Sequence, residues 1–222
     1  MKMTCRFIAM AMLLATCSYS PGQFVRPFPE GIGLEIGGGH SDATWKLLQP
    51  PPDGSGNEVS RGKLSFMPTV RLSYALHPLE NAQVLPFVEY NRFGGRLTEL
   101  SNGYKDEMWF DALGFGVLTT YSFSALTVGT GIKLNDHLRV TEKSLGAVNI
   151  PSVEGESWDE RDFSRFYRRT SWDVGFRAAW TLNHWSFGAE GWFGLTQLES
   201  KDLDPFVDVH QRHFRALVGY RL

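Results

Sequence analysis

The sequence predicts an all-β protein whose eight strands form an antiparallel up-and-down barrel in a membrane. The last strand is the clearest, because residues 213–222 alternate between an aromatic-rich apolar face and a face with arginines and glycine. Seven earlier segments alternate with the same period of two, which is the period of a β-strand. Long and short connections also alternate along the chain, as in barrels whose turns are tight on one side of the membrane and long on the other.

The first four predicted strands are residues 31–40, 63–76, 84–93 and 108–122. In the first three, outward aliphatic and aromatic side chains alternate with an inward face that contains Glu35, Arg71 and Glu89, respectively. In the fourth, outward Leu, Phe, Val and Tyr alternate with inward alanine, glycine and threonine. Asp111 falls on the outward face of this strand, and a bulge at residues 110–113 is predicted to turn it inward.

The last four predicted strands are residues 125–140, 171–183, 185–199 and 213–222. Their inward faces contain Lys133, Arg177, Glu190 and Arg215, while their outward faces are again aliphatic and aromatic. Strict alternation also places Arg139 inside the barrel. A strand that is apolar outside and polar inside is typical of a barrel that crosses a membrane.

The connections and the outward aromatic residues predict an orientation. The long connections are residues 41–62, 94–107, 143–170 and 200–208, and the short turns are 77–83, 123–124 and 183–184. With the short turns on the periplasmic side, one set of aromatic residues falls near the outer rim: Phe66, Tyr90, Trp109, Trp172, Phe193 and Phe214. A second set falls near the inner rim: Tyr74, Tyr121, Trp180, Trp185 and Tyr220. Amphipathic aromatic rings favour the depth of the lipid headgroups, so one girdle is expected at each surface of the membrane.

The composition excludes several classes of protein. The chain has 22 basic and 24 acidic residues, which gives no sign of nucleic-acid binding. It has no run of 18 apolar residues, so no transmembrane helix is expected. No spacing of potential ligands predicts a metal site, and no motif predicts a cofactor.

The N-terminus predicts a secretory signal peptide, because two basic residues precede a short apolar run. Cleavage is expected between about residues 17 and 23. The sequence that ends at Cys17 also resembles a bacterial lipobox, which would place a lipid on that cysteine. Both cysteines of the chain lie in this leader, so the mature domain is predicted to contain no disulfide. The predicted units are the signal peptide, a periplasmic segment and the barrel, over residues 1–22, 23–30 and 31–222.

The inward charges predict a closed lumen, because an eight-stranded barrel has room for its own side chains and little else. The charged residues expected inside are Glu35, Arg71, Glu89, Lys133, Arg177, Glu190 and Arg215. Opposite charges in similar number predict a buried ion-pair network with a structural role, since unpaired ions in a closed lumen would be unfavourable. Phe87, Trp192 and Leu217 also point inward, so a diffusion pore is not expected.

The third long connection combines arginines with aromatic residues, a composition typical of recognition surfaces. The candidate contact residues are Trp158, Arg165, Tyr167, Arg168 and Arg169. They would hold phosphates of lipopolysaccharide or contact a partner protein. The alternative interpretation is a solvated loop with local salt bridges.

The leader, the opening residues 31–35, the eight alternating segments and the terminal residues 217–222 resemble small eight-stranded outer-membrane proteins of the OmpA/OmpX type. They are most similar to the PorT-like outer-membrane β-barrel family of Bacteroidota. The resemblance covers residues 31–222 and implies a place in the bacterial outer membrane. The chain ends in Leu222, where such barrels commonly end in phenylalanine.

The favoured hypothesis is a non-enzymatic outer-membrane barrel that is a structural or accessory subunit of a larger secretion, transport or assembly complex. Its contacts would come from the external loops and the lipid-facing wall. A second hypothesis is a lipid-modifying enzyme, such as a lipid A deacylase or acyltransferase, in which His137 or His213 would act with a serine such as Ser65. A third is a soluble secreted barrel of the lipocalin type, with apolar residues inside.

Overall fold

The computed structural model describes residues 31–47, 59–62, 64–99, 105–145, 159–162, 164–198 and 207–222. The predicted leader, the predicted periplasmic segment and Trp158 lie outside these residues. The strands within them are β1 (Gly31–Leu47), β2 (Val59–Gly62), β3 (Leu64–Leu79), β4 (Ala82–Glu99), β5 (Lys105–Phe123), β6 (Leu126–Leu145), β7 (Asp159–Asp162), β8 (Thr170–Leu182), β9 (Trp185–Gly194) and β10 (Val207–Arg221). A single 3₁₀ turn, Ser164–Phe166, follows β7. No helix in this part of the chain is long and apolar enough to cross a membrane.

Eight long strands close into a barrel. Each pairs antiparallel with its neighbours in chain order, and β1 pairs with both β3 and β10, which joins the two ends of the sheet. The short strands β2 and β7 extend the ladders of β4 and β6 beyond the barrel wall. The fold predicted from the sequence, a closed eight-stranded antiparallel up-and-down barrel, is therefore confirmed.

Tight turns mark one end of the barrel, which we call the inner end. They lie at residues 80–81, 124–125 and 183–184, within or next to the three short connections predicted. Ser124 and Asn183 adopt left-handed backbone conformations, with φ of 58° and 54°. Asparagine tolerates this conformation because its short polar side chain can bond locally. The opposite end, with the long connections, is the outer end.

Several strands extend further toward the outer end than the sequence predicts. β1 continues to Leu47, β4 to Glu99 and β6 to Leu145, and β10 begins at Val207. Conversely, β9 ends at Gly194, before the predicted position. Beyond the bilayer the outward face of a strand need not be apolar. The backbone ladder therefore continues past the apolar-outside alternation by which the strands are predicted.

The two faces of the wall have opposite polarity. In β8, exposed and buried residues alternate along the strand, with Trp172, Val174 and Phe176 outside and Asp173 and Arg177 inside. All five residues predicted for the inner girdle are exposed, and at the outer rim Trp172 and Phe214 are exposed as well. Apolar wall and charged interior together define a membrane-spanning β-barrel of the outer-membrane type.

A bulge between β5 and β6 corrects two sequence predictions. The register shifts between Asp111 and Ala112, which leaves Leu138 of β6 as the additional residue. The bulge therefore lies on β6, and Asp111 stays on the outer face of β5 rather than turning inward. Beyond the bulge the alternation of β6 is reversed, so Arg139 is exposed outside while Val140 is buried inside. Strict period-two counting was wrong for Arg139 because it cannot place an inserted residue.

Candidate functional site

A group of charged side chains occupies the middle of the barrel, and each long strand except β5 contributes to it. The members predicted from the sequence that lie here are Glu35, Arg71, Glu89, Lys133, Arg177, Glu190 and Arg215. Strand β5 contributes Gly116, where a side chain would collide with Phe87 and Lys133. Glycine on this strand thus leaves the space that the charges of the other strands fill.

Arg71 lies at the centre of the group and contacts all three glutamates. Its Nη2 donates to Glu89 at 2.7 Å and to Glu190 at 2.8 Å, and its Nη1 donates to Glu35 at 3.2 Å. The guanidinium also lies over the ring of Phe87, 4.2 Å from the centroid. Arg71 has no exposed surface, so every one of these contacts replaces water.

Glu190 is the corresponding centre among the acids. Besides Arg71, it accepts hydrogen bonds from Arg177 at 2.8 Å and from Arg215 at 2.8 Å. The indole N–H of Trp192 donates to it at 2.8 Å. A buried carboxylate that receives this many donors is compensated for the loss of hydration.

Asp173 belongs to the same network and was not among the charged residues predicted for it. Lys133 Nζ lies 2.9 Å from Glu89 and 3.5 Å from Asp173, and Asn135 donates to Asp173 at 2.8 Å. Alternation along β8 places Asp173 on the inward face, so the sequence contained the information needed to include it. With Asp173, four acids face four bases, so the formal charges of the lumen network sum to zero.

Two apolar clusters pack against the lumen network. One, which lies beside it, is formed by Ala75, Leu85, Phe87, Leu118 and Trp192. Toward the outer end lies a second cluster, which we call the outer cap, formed by Phe93, Met108, Phe110, Ala112, Val140 and Leu198. Phe93 and Phe110 stack in the cap with ring centroids 5.1 Å apart. The outer cap therefore separates the polar middle of the described barrel from the outer mouth. Toward the inner end the lumen also contains buried polar residues, namely Ser73, Gln83, Ser186 and Arg221.

Two segments outside the strands complete the outer cap. Leu198, after β9, is fully buried in it, and Tyr167, before β8, packs its ring against Phe110 at 5.2 Å. A backbone hydrogen bond from Arg168 to the carbonyl of Leu198 joins the two segments. The ends of two external connections thus fold into the barrel mouth and close it.

A histidine–serine contact lies below the cap. His137 Nδ1 is 2.6 Å from the carbonyl of Arg168, so this nitrogen carries the proton and donates. Nε2 then accepts from the Ser171 hydroxyl at 3.0 Å, which is the spacing of a nucleophile and its base. Ser171 has no exposed surface, however. His213 lies apart from this pair, 3.2 Å from Lys133, and the side chain of Ser65 lies outside the described part.

The candidate contact residues of the third long connection occupy different surroundings. Tyr167 faces the barrel mouth, Arg168 is half-buried, and Arg165 is exposed on the 3₁₀ turn. Arg169, also exposed, donates to Asp136 at 2.9 Å on the outer wall. The structure therefore does not bring these residues together into one surface. Within the described ranges, no group of three or more histidine, cysteine, aspartate or glutamate residues could hold a metal ion.

Comparison with known proteins gives likenesses of fold. No protein-family model matches the chain, and no curated protein is similar to it. The barrel is similar to the crystal structure of Neisserial surface protein A, with 13% identity, a TM-score of 0.46 and coverage of 86% of this chain and 97% of that one. It is similar to Ail, the attachment invasion locus protein of Yersinia pestis, at 13% identity and a TM-score of 0.46, covering 87% and 100% of the two chains. For the outer membrane protein OprG from Pseudomonas aeruginosa the identity is 12%, the TM-score 0.38 and the coverage 88% and 97%.

Proposed function

We propose that this chain is a non-enzymatic protein of the bacterial outer membrane that acts as a structural or accessory subunit of a larger secretion, transport or assembly complex. The observation that carries the proposal is the closed lumen. A charge-balanced network of buried ion pairs fills the lumen beneath the packed outer cap, which argues against a diffusion pore. What remains for function is the outside of the barrel, namely its wall and its external connections.

The external side of the barrel supports this proposal. The mouth is packed by Tyr167 and Leu198, which fixes the bases of two external connections on a rigid barrel. Arg165 is exposed on the 3₁₀ turn that precedes Tyr167. Arginines held on a rigid support suit recognition of a partner protein or of lipopolysaccharide phosphates. A membership of the PorT-like family of Bacteroidota would fit this role, and the opening and closing residues of the barrel favour it.

Extraction of the native membrane in a mild detergent, followed by identification of co-purifying proteins, tests the accessory role. We expect a defined set of partners that is retained in stoichiometric amount. Arg165→Glu should weaken their retention, because it reverses a charge on the exposed turn. Arg212→Glu is the matched control, since Arg212 is equally exposed but lies on β10. A barrel that purifies alone would contradict the proposal.

The enzyme alternative is favoured by one observation, the hydrogen bond between His137 and Ser171. Against it stands the complete burial of Ser171 beneath the outer cap, where an acyl chain has no access. Substituting His137→Gln or His213→Gln and profiling lipid A by mass spectrometry separates the two functions. An unchanged profile is expected, and an altered acylation pattern in the His137 variant would favour the enzyme.

The polarity of the wall counts against the soluble alternative. A lipocalin-type barrel requires an apolar interior, whereas here Arg71, Lys133 and Glu190 fill the interior and the large apolar residues are exposed. We therefore expect the mature protein to require detergent for solubility. Solubility without detergent would contradict both the membrane location and the accessory role.

A further inference from the structure

A group of charged residues surrounds Trp109 on the outside of the barrel, at the outer end of β4, β5 and β6. Strand pairing aligns it in three transverse rows, which are Arg92–Asp111–Arg139, Gly94–Trp109–Thr141 and Arg96–Glu107–Lys143. In the first and third rows an acid on the middle strand lies between two bases. We call these residues the rim patch. Arg139 joins the first row only because of the bulge at Leu138.

The acids of the rim patch hold the arginines in fixed positions. Arg92 donates to the two oxygens of Asp111 at 2.6 and 2.9 Å, and Arg96 donates to Glu107. The guanidinium of Arg92 lies 5.2 Å from the ring centroid of Trp109. The ammonium of Lys143 lies 5.4 Å from the same centroid. The indole thus has a cation from each charged row over it, an arrangement favoured by the charge distribution of the ring.

The basic groups lie outermost in the rim patch. The side chains of Arg92 and Arg96 are 33% and 42% exposed, whereas those of Asp111 and Glu107 are only 16% and 8% exposed. Guanidinium groups that use some N–H donors on a carboxylate retain others that point to solvent. The patch consequently presents positive charge outward although each row contains an acid.

Two further acids lie beside the rim patch on β7, where Asp162 is in register with Thr141 and Glu160 with Lys143. The hydroxyl and the N–H of Ser164 donate to Asp162 and, with Arg139 nearby, hold the pKa of this carboxyl below its ordinary value. With Asp162 and Glu160, four acids accompany the four bases. The outward positive charge therefore comes from the greater exposure of the guanidinium groups and not from an excess of bases.

The height of the patch identifies the surroundings that it meets. Tyr90, a residue of the predicted outer girdle, donates to Asp111 at 2.6 Å. The first row of the patch therefore lies at the height of that girdle. Girdle residues lie at the depth of the lipid headgroups. The patch is therefore level with, and just beyond, the phosphate groups of the outer leaflet.

We propose that the rim patch binds a lipid of the outer leaflet whose headgroup carries two phosphate groups. The charged rows are four residues apart along each strand, which is about 13 Å at 3.3 Å per residue. One phosphate would contact Arg92 and Arg139, the other Arg96 and Lys143, and Trp109 would pack against the headgroup between them. The site depends on the place of the barrel in the outer membrane but not on its proposed role as an accessory subunit.

Lipid binding to the full-length mature protein in detergent micelles, measured by native mass spectrometry, tests this site. The probes are bisphosphorylated lipid A, its monophosphorylated form and phosphatidylcholine. We expect the bisphosphorylated lipid to bind about 10-fold more tightly than the monophosphorylated one, because it makes a second set of charge-assisted hydrogen bonds. Replacing Arg92 and Arg139 together with glutamine should remove this advantage. Inorganic phosphate at about 10 mM should not displace the lipid, since a single small anion can contact the bases of only one row at a time.

Two further variants keep the test decisive. Arg212→Gln is the matched control, an exposed arginine of β10 outside the rim patch, and should change the affinity less than about 2-fold. Lys143→Gln leaves both arginine–carboxylate pairs intact, so it serves if the double variant does not fold, and should weaken binding about 3-fold or more. Equal affinity for the two forms of lipid A, equal losses in the control, or displacement by inorganic phosphate would each overturn the proposal. None of these outcomes depends on a protein partner.

Discussion

The lumen network and the rim patch are built from the same residue types in opposite surroundings. In the lumen, Arg71, Glu89 and Glu190 have no exposed side-chain surface, and acids and bases are equal in number. At the rim, Arg92 and Arg96 are partly exposed, and more so than the acids that they contact. In both regions the arginines donate at least two hydrogen bonds to carboxylates.

The difference shows how burial determines what an ion pair does. A buried pair contributes little net stability compared with well-packed apolar residues, but losing one partner leaves an uncompensated charge. An exposed pair contributes little in either case, because water and salt screen it. We conclude that the lumen charges maintain the barrel, whereas the rim charges remain available to a ligand.

Arg71→Met should produce the largest effect on stability. It leaves Glu35, Glu89 and Glu190 with fewer cations inside the closed lumen, and we expect a loss of about 3–5 kcal/mol in the free energy of unfolding. Urea titration in lipid vesicles, followed by tryptophan fluorescence, measures this. Arg71→Lys retains the charge and should lose less. A loss below about 1 kcal/mol for Arg71→Met would show that the buried ion pairs of the lumen matter no more for stability than the exposed pairs of the rim.

Leu198→Ala tests whether the outer cap maintains the difference between the two regions. Leu198 is fully buried above the lumen network, so its truncation should lower the free energy of unfolding by about 2–3 kcal/mol. Leu195→Ala is the matched control, because Leu195 lies three residues earlier and is 58% exposed. The same urea titration compares them. Equal losses for the two variants would show that the cap is not a packed part of the barrel.

Arg92→Gln should change stability much less than Arg71→Met, although Arg92 also makes two short bonds to a carboxylate. We expect less than about 1 kcal/mol, since the pair lies at the surface. The binding of phosphorylated lipid should nevertheless weaken. A loss of stability above about 2 kcal/mol would mean that the rim patch is structural as well.

Alternation along the strands was sufficient to predict the wall and the direction of the inward charges. A period of two separates the lipid from the lumen, and Arg71, Lys133 and Glu190 all follow from it. The contacts among these residues could not be predicted in the same way. Arg71 on β3 meets Glu190 on β9, strands that are not neighbours, so their contact depends on the stagger of the whole barrel.

The rim patch illustrates the limit of prediction from one strand at a time. Trp109 and Tyr90 were expected at the outer rim, but Arg139 was expected inside. The bulge that brings it outside is a property of the β5–β6 pairing, not of β6 alone. The outer cap was not predicted either, because Tyr167 lies in a connection and Leu198, although within the seventh predicted strand, lies beyond the end of β9.

The exposed pair formed by Arg169 and Asp136 should give the smallest effect. It lies beyond the level of Trp172, and Arg169 is 82% exposed, so Arg169→Gln should leave the urea midpoint unchanged within error at pH 7. The urea titration in lipid vesicles used for Arg71→Met measures this. A loss above about 2 kcal/mol would place the pair with the lumen charges instead of the rim.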